Sequence, residues 1–161
     1  MAKKTFDARK LAISIILCVV VGSLGSVFTA PAIGTWYSLL AKPAWTPPNW
    51  LFGPVWTTLF ILMGVALYLV WDKGLKAKGV KLALQMFCVQ FALNILWSFL
   101  FFGLRSPLYG FVEIIILWVA IAATIWRFYI ISKPAAYALV PYIVWATVAT
   151  VLNYQVMVLN P

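Results

Sequence analysis

Five runs of mostly apolar residues follow one another along the chain with little between them, at about 11–30, 51–71, 81–103, 108–131 and 135–158. A helix needs about 20 such residues to cross the hydrocarbon of a bilayer. In that medium every backbone N–H and C=O must be satisfied within the segment, which favours helices. The pattern predicts an all-α integral membrane protein, a bundle of five transmembrane helices, with residues 1–161 as a single membrane domain. Short links at Phe102–Pro107 and Ser132–Pro134 make the third, fourth and fifth spans sequential antiparallel neighbours. The link at Asp72–Lys81 is basic and glycine-containing, and reads as a solvated loop.

The first link, about 31–50, is different. Its core, KPAWTPPNW (42–50), has three prolines and two tryptophans. Pro43, Pro47 and Pro48 fix backbone angles and hold the residues before them extended. Trp36, Tyr37, Trp45 and Trp50 supply broad faces. An interfacial aromatic belt accounts for one or two of these rings, but not for the stiffness. A folded lid over one end of the bundle accounts for both.

Composition agrees: 65% of the 161 residues are hydrophobic and 9% are charged, far from the balance of a soluble domain. The first span follows basic residues as a secretory signal would. Its apolar length, and Pro31 just after the cleavage candidate Ala30, favour an uncleaved span. The net charge of +9 does not point to nucleic acid, because of where the charges fall. Lys3, Lys4, Arg9, Lys10, Lys73, Lys76, Lys78, Lys81, Arg127 and Lys133 share one side of the predicted topology, against Lys42 and Arg105 on the other. This asymmetry places the N-terminus in the cytoplasm and the lid outside, with the basic side facing anionic lipid.

The first span repeats a small residue every fourth position, Ser14, Cys18, Gly22, Ser26 and Ala30, which admits a close helix neighbour within the bundle or in a dimer. Cys18 and Cys88 fall in spans and read as small buried hydrophobes. On the third span Gln90 and Asn94 share a face with Phe87, Trp97 and Phe101. Carboxamides in hydrocarbon need partners. They either join helices or give polar fixtures to an apolar pocket.

Trp56, Phe60 and Met63 form an aromatic face on the second span, and Trp145 with Ala149 and Leu152 leaves a recess on the fifth. Of the nine tryptophans, Trp50, Trp71 and Trp126 suit an interfacial belt, whereas Trp118 and Trp145 lie mid-span and need partners for their N–H groups. Glu113 is the one acid well inside a span, a candidate for proton-coupled export of cationic compounds. Histidine is absent, and no paired carboxylate, metal-ligand cluster or phosphate loop is present. No catalytic or metal site is expected; stacking, dispersion and a few hydrogen bonds remain.

WYSLLAKPAWTPPNWLFGPVWTTLF (36–60), QFALNILWSFLFF (90–102) and PYIVWATVATVLN (141–153) resemble the tryptophan-rich sensory protein family, TspO, whose animal members are the translocator protein. The resemblance covers nearly the whole chain. It implies a five-helix bundle, often a homodimer, that binds protoporphyrin, haem, sterols and benzodiazepine-type drugs beneath the first loop. It nominates Trp56, Phe60, Gln90, Asn94, Trp145, Ala149 and Leu152 as ligand-binding residues, with Trp36 and Trp45 in the lid. Lys42 and Arg105 are the candidates for porphyrin propionates.

No obligatory cofactor is implied; porphyrin or haem is the ligand. The animal members' sterol-associated pattern is incomplete, since Leu152 and Tyr154 are followed by no Lys or Arg. Specific sterol binding is therefore doubtful, and a bacterial-type member is suggested; the resemblance implies the cell membrane for a bacterial chain and the outer mitochondrial membrane for a eukaryotic one. The expected function is porphyrin reception with a regulatory or transport-linked role. The alternatives are light- or oxygen-dependent porphyrin breakdown, and export through Glu113.

Overall fold

A computed structural model describes residues 6–161. It contains α1 (Ala8–Gly22), α2 (Ser26–Ile33), α3 (Trp36–Leu39), α4 (Asn49–Trp71), α5 (Val80–Ser98), α6 (Pro107–Ile131), α7 (Lys133–Ala138) and α8 (Val140–Leu159). They form five stretches long and apolar enough to cross a membrane: Ala8–Ile33, Asn49–Trp71, Val80–Gly103, Pro107–Ile131 and Lys133–Leu159. Among the described residues there is no strand.

Side-chain chemistry explains the ends and breaks. Asp7 caps α1, its carboxylate accepting from the Lys10 N–H at 3.1 Å. Ser106 caps α6 in the same way through the Tyr109 N–H at 3.3 Å, with Pro107 at the first helical position. The first span is broken by a tight turn at Ser23–Gly25, where the Ser23 hydroxyl donates to the Val19 carbonyl at 2.6 Å. The third span ends in a widened turn over Phe99–Gly103, in which the Leu104 N–H reaches back five residues to the Phe99 carbonyl at 2.8 Å.

α1 lies along α4, while α6 packs between α5 and α8, so the last three spans are antiparallel neighbours as expected. Ser14, Cys18 and Gly22 of the small-residue stripe are buried within the bundle. A Cβ on Gly22 would fall 2.5 Å from the Phe60 ring, and one on Gly64 would fall 2.5 Å from the Ile15 Cα. These glycines are what allow the two helices to approach. The opposite face of α1, with Ile13, Ile16 and Val20, is exposed to lipid.

One expectation is corrected: Cys18 is buried but Cys88 is exposed on the outside of α5. A small apolar group loses nothing by facing lipid, so hydropathy alone does not drive it inward. Lys10 lies 3.6 Å from Asp7 and 3.9 Å from Asp72, which joins the start of α1 to the basic Asp72–Lys81 link at one end of the bundle. Lys3 and Lys4 lie outside the described residues. The other end carries the lid.

Candidate functional site

The lid is a folded piece. Its stretch from 31 to 50 is shorter than the sequence implies: residues 31–33 continue α2, Trp36–Leu39 make a helical turn, and α4 already begins at Asn49. Tyr37 is buried, with its ring edge-on to Phe102 at 5.6 Å, and Trp36 meets Phe101 at 5.6 Å. The Lys42 ammonium donates to the carbonyls of Tyr37 at 2.7 Å, Leu40 at 2.9 Å and Ser38 at 3.4 Å, capping that turn with all three of its donors. The Trp45 indole donates to Gln155 Oε1 on α8 at 2.9 Å.

Beneath the lid lies a cavity of about 270 Å³, walled by α2, α4 and α5 and the break between α1 and α2. Trp56, Phe60, Phe52 and Trp97 provide aromatic surface, Asn94 and Ser98 face in from α5, and Tyr37 forms part of the roof. Trp56 and Phe60 lie with ring centroids 5.5 Å apart and planes tilted by 31°, so that the pair makes one bent aromatic plate. No lining residue carries a charge. The surface can stack against a flat apolar molecule and offer the carboxamides of Asn94 and Asn49 to polar atoms.

Of the residues nominated from sequence, Trp56, Phe60 and Asn94 line this cavity together. Gln90 lies one turn below Asn94, fully buried, with no hydrogen-bond partner for its amide. Trp145, Ala149 and Leu152 are not in the wall: Trp145 stands edge-on to Phe52 at 5.9 Å, Ala149 packs against the main core, and Leu152 belongs to the cluster under the lid. Trp36, Trp45 and Lys42 brace the lid, and Arg105 is exposed in the α5–α6 link, its φ of 53° in the left-handed region. Trp118 finds its partner at the bundle surface, Thr147 Oγ1 at 2.9 Å.

Two residues that support the wall were not singled out. Tyr142 on α8 accepts from Asn94 Nδ2 at 3.1 Å, and Asn153 accepts from the Trp97 indole at 3.1 Å while donating to the Pro107 carbonyl at 2.8 Å. The cost of burying a carboxamide, which drew attention to Gln90 and Asn94, applies equally to Asn153. Glu113 is buried on α6, within electrostatic reach of Tyr142 on α8, and its oxygens have no hydrogen-bond partner. Leucine there removes an unsatisfied polar group. Glu113→Leu is therefore expected to raise thermal stability in detergent by about 1–3 kcal/mol. A lowered unfolding midpoint would show that the carboxyl makes a stabilising contact.

Comparison with known proteins places this architecture. A family model described as TspO/MBR matches residues 14–159. The chain belongs to the TspO/MBR family. Among its TspO relatives, the tryptophan-rich protein TspO of Chlorobaculum tepidum is 47% identical over 151 residues, 94% of this chain and 96% of the relative. The protein of the same name from Archaeoglobus fulgidus is 46% identical over 152 residues, 94% of this chain and 97% of its own length. The translocator protein of Homo sapiens is 42% identical over 123 residues, 75% of this chain and 72% of the relative. Like other members of the TspO/MBR family, the chain is an integral membrane protein.

Proposed function

We propose that this protein is a membrane receptor that binds porphyrins and related flat hydrophobic molecules in the cavity beneath the lid, with a regulatory or transport-linked role. The observation that carries this reading is the aromatic plate of Trp56 and Phe60, set opposite Asn94 and Trp97 in a chamber without charge. A macrocycle stacks on the plate, and Asn94 orients its polar edge. The printed name of a relative from Cereibacter sphaeroides, tryptophan-rich sensory protein, agrees with a sensing role. The basic end is assigned to the cytoplasm and the lid to the outer face.

The cavity is just below the range of about 300–1,000 Å³ usual for organic ligands, so a porphyrin seated there protrudes or widens it. Its propionates find no cation in the wall, and Lys42 already serves three carbonyls. They therefore lie at headgroup level, with Arg105 as the one uncommitted outer-side candidate. Export through Glu113 has no acid at the ligand to work with, since no lining residue is a carboxylate.

Protoporphyrin is expected to quench the tryptophan fluorescence of the protein saturably. The Trp56→Ala, Trp145→Ala double variant removes the stacking plate and the ring that braces Phe52, and is expected to weaken binding at least tenfold, about 1.4 kcal/mol. Unchanged affinity in that variant would remove the ligand from this chamber.

A further inference from the structure

The cavity has two boundaries toward its surroundings, and they are built differently. The lid is tied to α8 and the residue after it at Ala41 and at Trp45. Asn160, just past α8, clasps the Ala41 backbone: its Oδ1 accepts from the Ala41 N–H at 3.0 Å and its Nδ2 donates to the Ala41 carbonyl at 2.9 Å. A third tie runs from Trp45 to Gln155 at 2.9 Å. Opening the roof requires breaking all three and withdrawing Tyr37 from the aromatic cluster on Phe101 and Phe102.

The side between α2 and the start of α4 has no such closure. Ser23, Ser26 and Ala30 on one edge, and Gly53 and Thr57 on the other, line the cavity and are all exposed, with no side chain closing over them. All are small. A Cβ on Gly53 would meet nothing within 4 Å. The hydroxyls along these edges spend their protons within their own helices: Ser23 on the Val19 carbonyl at 2.6 Å, Ser26 on Ser23 at 2.6 Å and Thr57 on Gly53 at 2.9 Å. A molecule passing between Gly53 and Thr57 and the facing serines meets no free hydroxyl donor, and the carboxamide of Asn49 stands above them at the start of α4, so the ring loses little by leaving lipid.

Depth fits the same route. Gly53 and Thr57 lie one and two turns below the start of α4, roughly 6 and 12 Å into the span. Exposed Trp50 marks the headgroup level just above. The gap therefore faces the hydrocarbon of the leaflet at the lid end.

We propose that ligands reach and leave the cavity sideways through this gap between α2 and α4, so that the ligand class is flat molecules already dissolved in the bilayer and not solutes captured from water. This rests on the proposed receptor function and adds its route and its selection rule. Acidic groups of such a ligand stay at the headgroup level as the ring slides in, which is why the wall needs no cation.

The test uses the full chain in lipid nanodiscs, with protoporphyrin quenching followed by stopped flow. Gly53→Leu with Ser26→Leu narrows the gap and is expected to slow release as well as association, about tenfold each, whereas leucines that only fill the cavity would weaken binding and speed release. Asn160→Ala with Gln155→Ala loosens the lid and is expected to leave both rates near wild type. Adding empty nanodiscs at fixed protoporphyrin is expected to slow association by diluting the ligand in lipid. Where the double leucine variant unfolds, Gly53→Val alone serves as the narrowed form. Rates unaffected by narrowing but raised by loosening the lid would overturn the lateral route while leaving the receptor function intact. Absence of saturable quenching in the wild-type protein would overturn both.

Discussion

Gly64→Val is expected to leave little correctly packed protein. The Cβ of any substituent at this position falls 2.5 Å from the Ile15 Cα and 2.9 Å from the Ile15 nitrogen. Both obstacles are backbone, so no rotamer change relieves them, and α1 must move as a body away from α4. That pairing is the most extensive helix contact among the described residues, and it also positions Gly22 against the Phe60 ring of the cavity wall.

In membranes such a loss is not offset by a hydrophobic drive to reassociate, because lipid solvates the parted faces as well as they solvated each other. Overpacking of an ordinary core costs about 1–3 kcal/mol. With backbone as the obstacle, the upper end of that range or more is expected, a large share of a total stability of roughly 5–15 kcal/mol. The check is the apparent unfolding midpoint and the monodisperse fraction in mild detergent, with Gly64→Ala as a graded comparison. A wild-type midpoint for the valine variant would mean that the helices do not meet at this glycine.

The spans were legible from hydropathy to within three residues at each end, since length and apolarity are properties of the segment alone. What the sequence left hidden depends on neighbours in space. Spacing placed Gln90 and Asn94 on one face of α5, yet Asn94 reaches Tyr142 and the cavity whereas Gln90, one turn away, meets neither a partner nor the wall. A helical face has no intrinsic direction in the bundle until the neighbouring helices fix it. For the same reason the spacing of Trp145, Ala149 and Leu152 suggests a recess for ligand, although Phe52 and the cluster under the lid occupy their surroundings.

The break at Ser23–Gly25 and the wide turn at Phe99–Gly103 left no interruption in the apolar pattern, because a hydroxyl bonded to its own helix looks no different in sequence from one facing solvent. Lys42 shows the limit of reading charge alone. It was a propionate candidate as an outer-side cation, and only geometry reveals that the carbonyls of its own loop satisfy it.

Asn153 offers the sharpest test of how the cavity wall is held. Its side chain is almost fully buried on α8 and joins three elements, accepting from the Trp97 indole of α5 and donating to the Pro107 carbonyl at the start of α6. The two bonds are not equivalent. A carbonyl has a second lone pair, but an indole N–H has one proton and no acceptor to trade for it. Asn153→Leu keeps the volume and leaves the Trp97 N–H without its partner inside the bundle.

Interhelical hydrogen bonds in membrane proteins average only ~0.6 kcal/mol when the unfolded chain can find substitutes. A buried donor with no substitute costs about 1–3 kcal/mol. The second case applies, because Trp97 stacks on Phe101 at 5.3 Å and cannot turn outward without giving up that contact. Stability is expected to fall by ~2 kcal/mol. Because Trp97 lines the cavity, freeing its ring is expected also to weaken protoporphyrin binding by about tenfold, or 1.4 kcal/mol. Thermal unfolding and quenching titrations on the same sample separate the two effects. Lost stability with unchanged affinity would make Asn153 a brace for the helices alone, while loss of neither would show that Trp97 does not depend on this carboxamide.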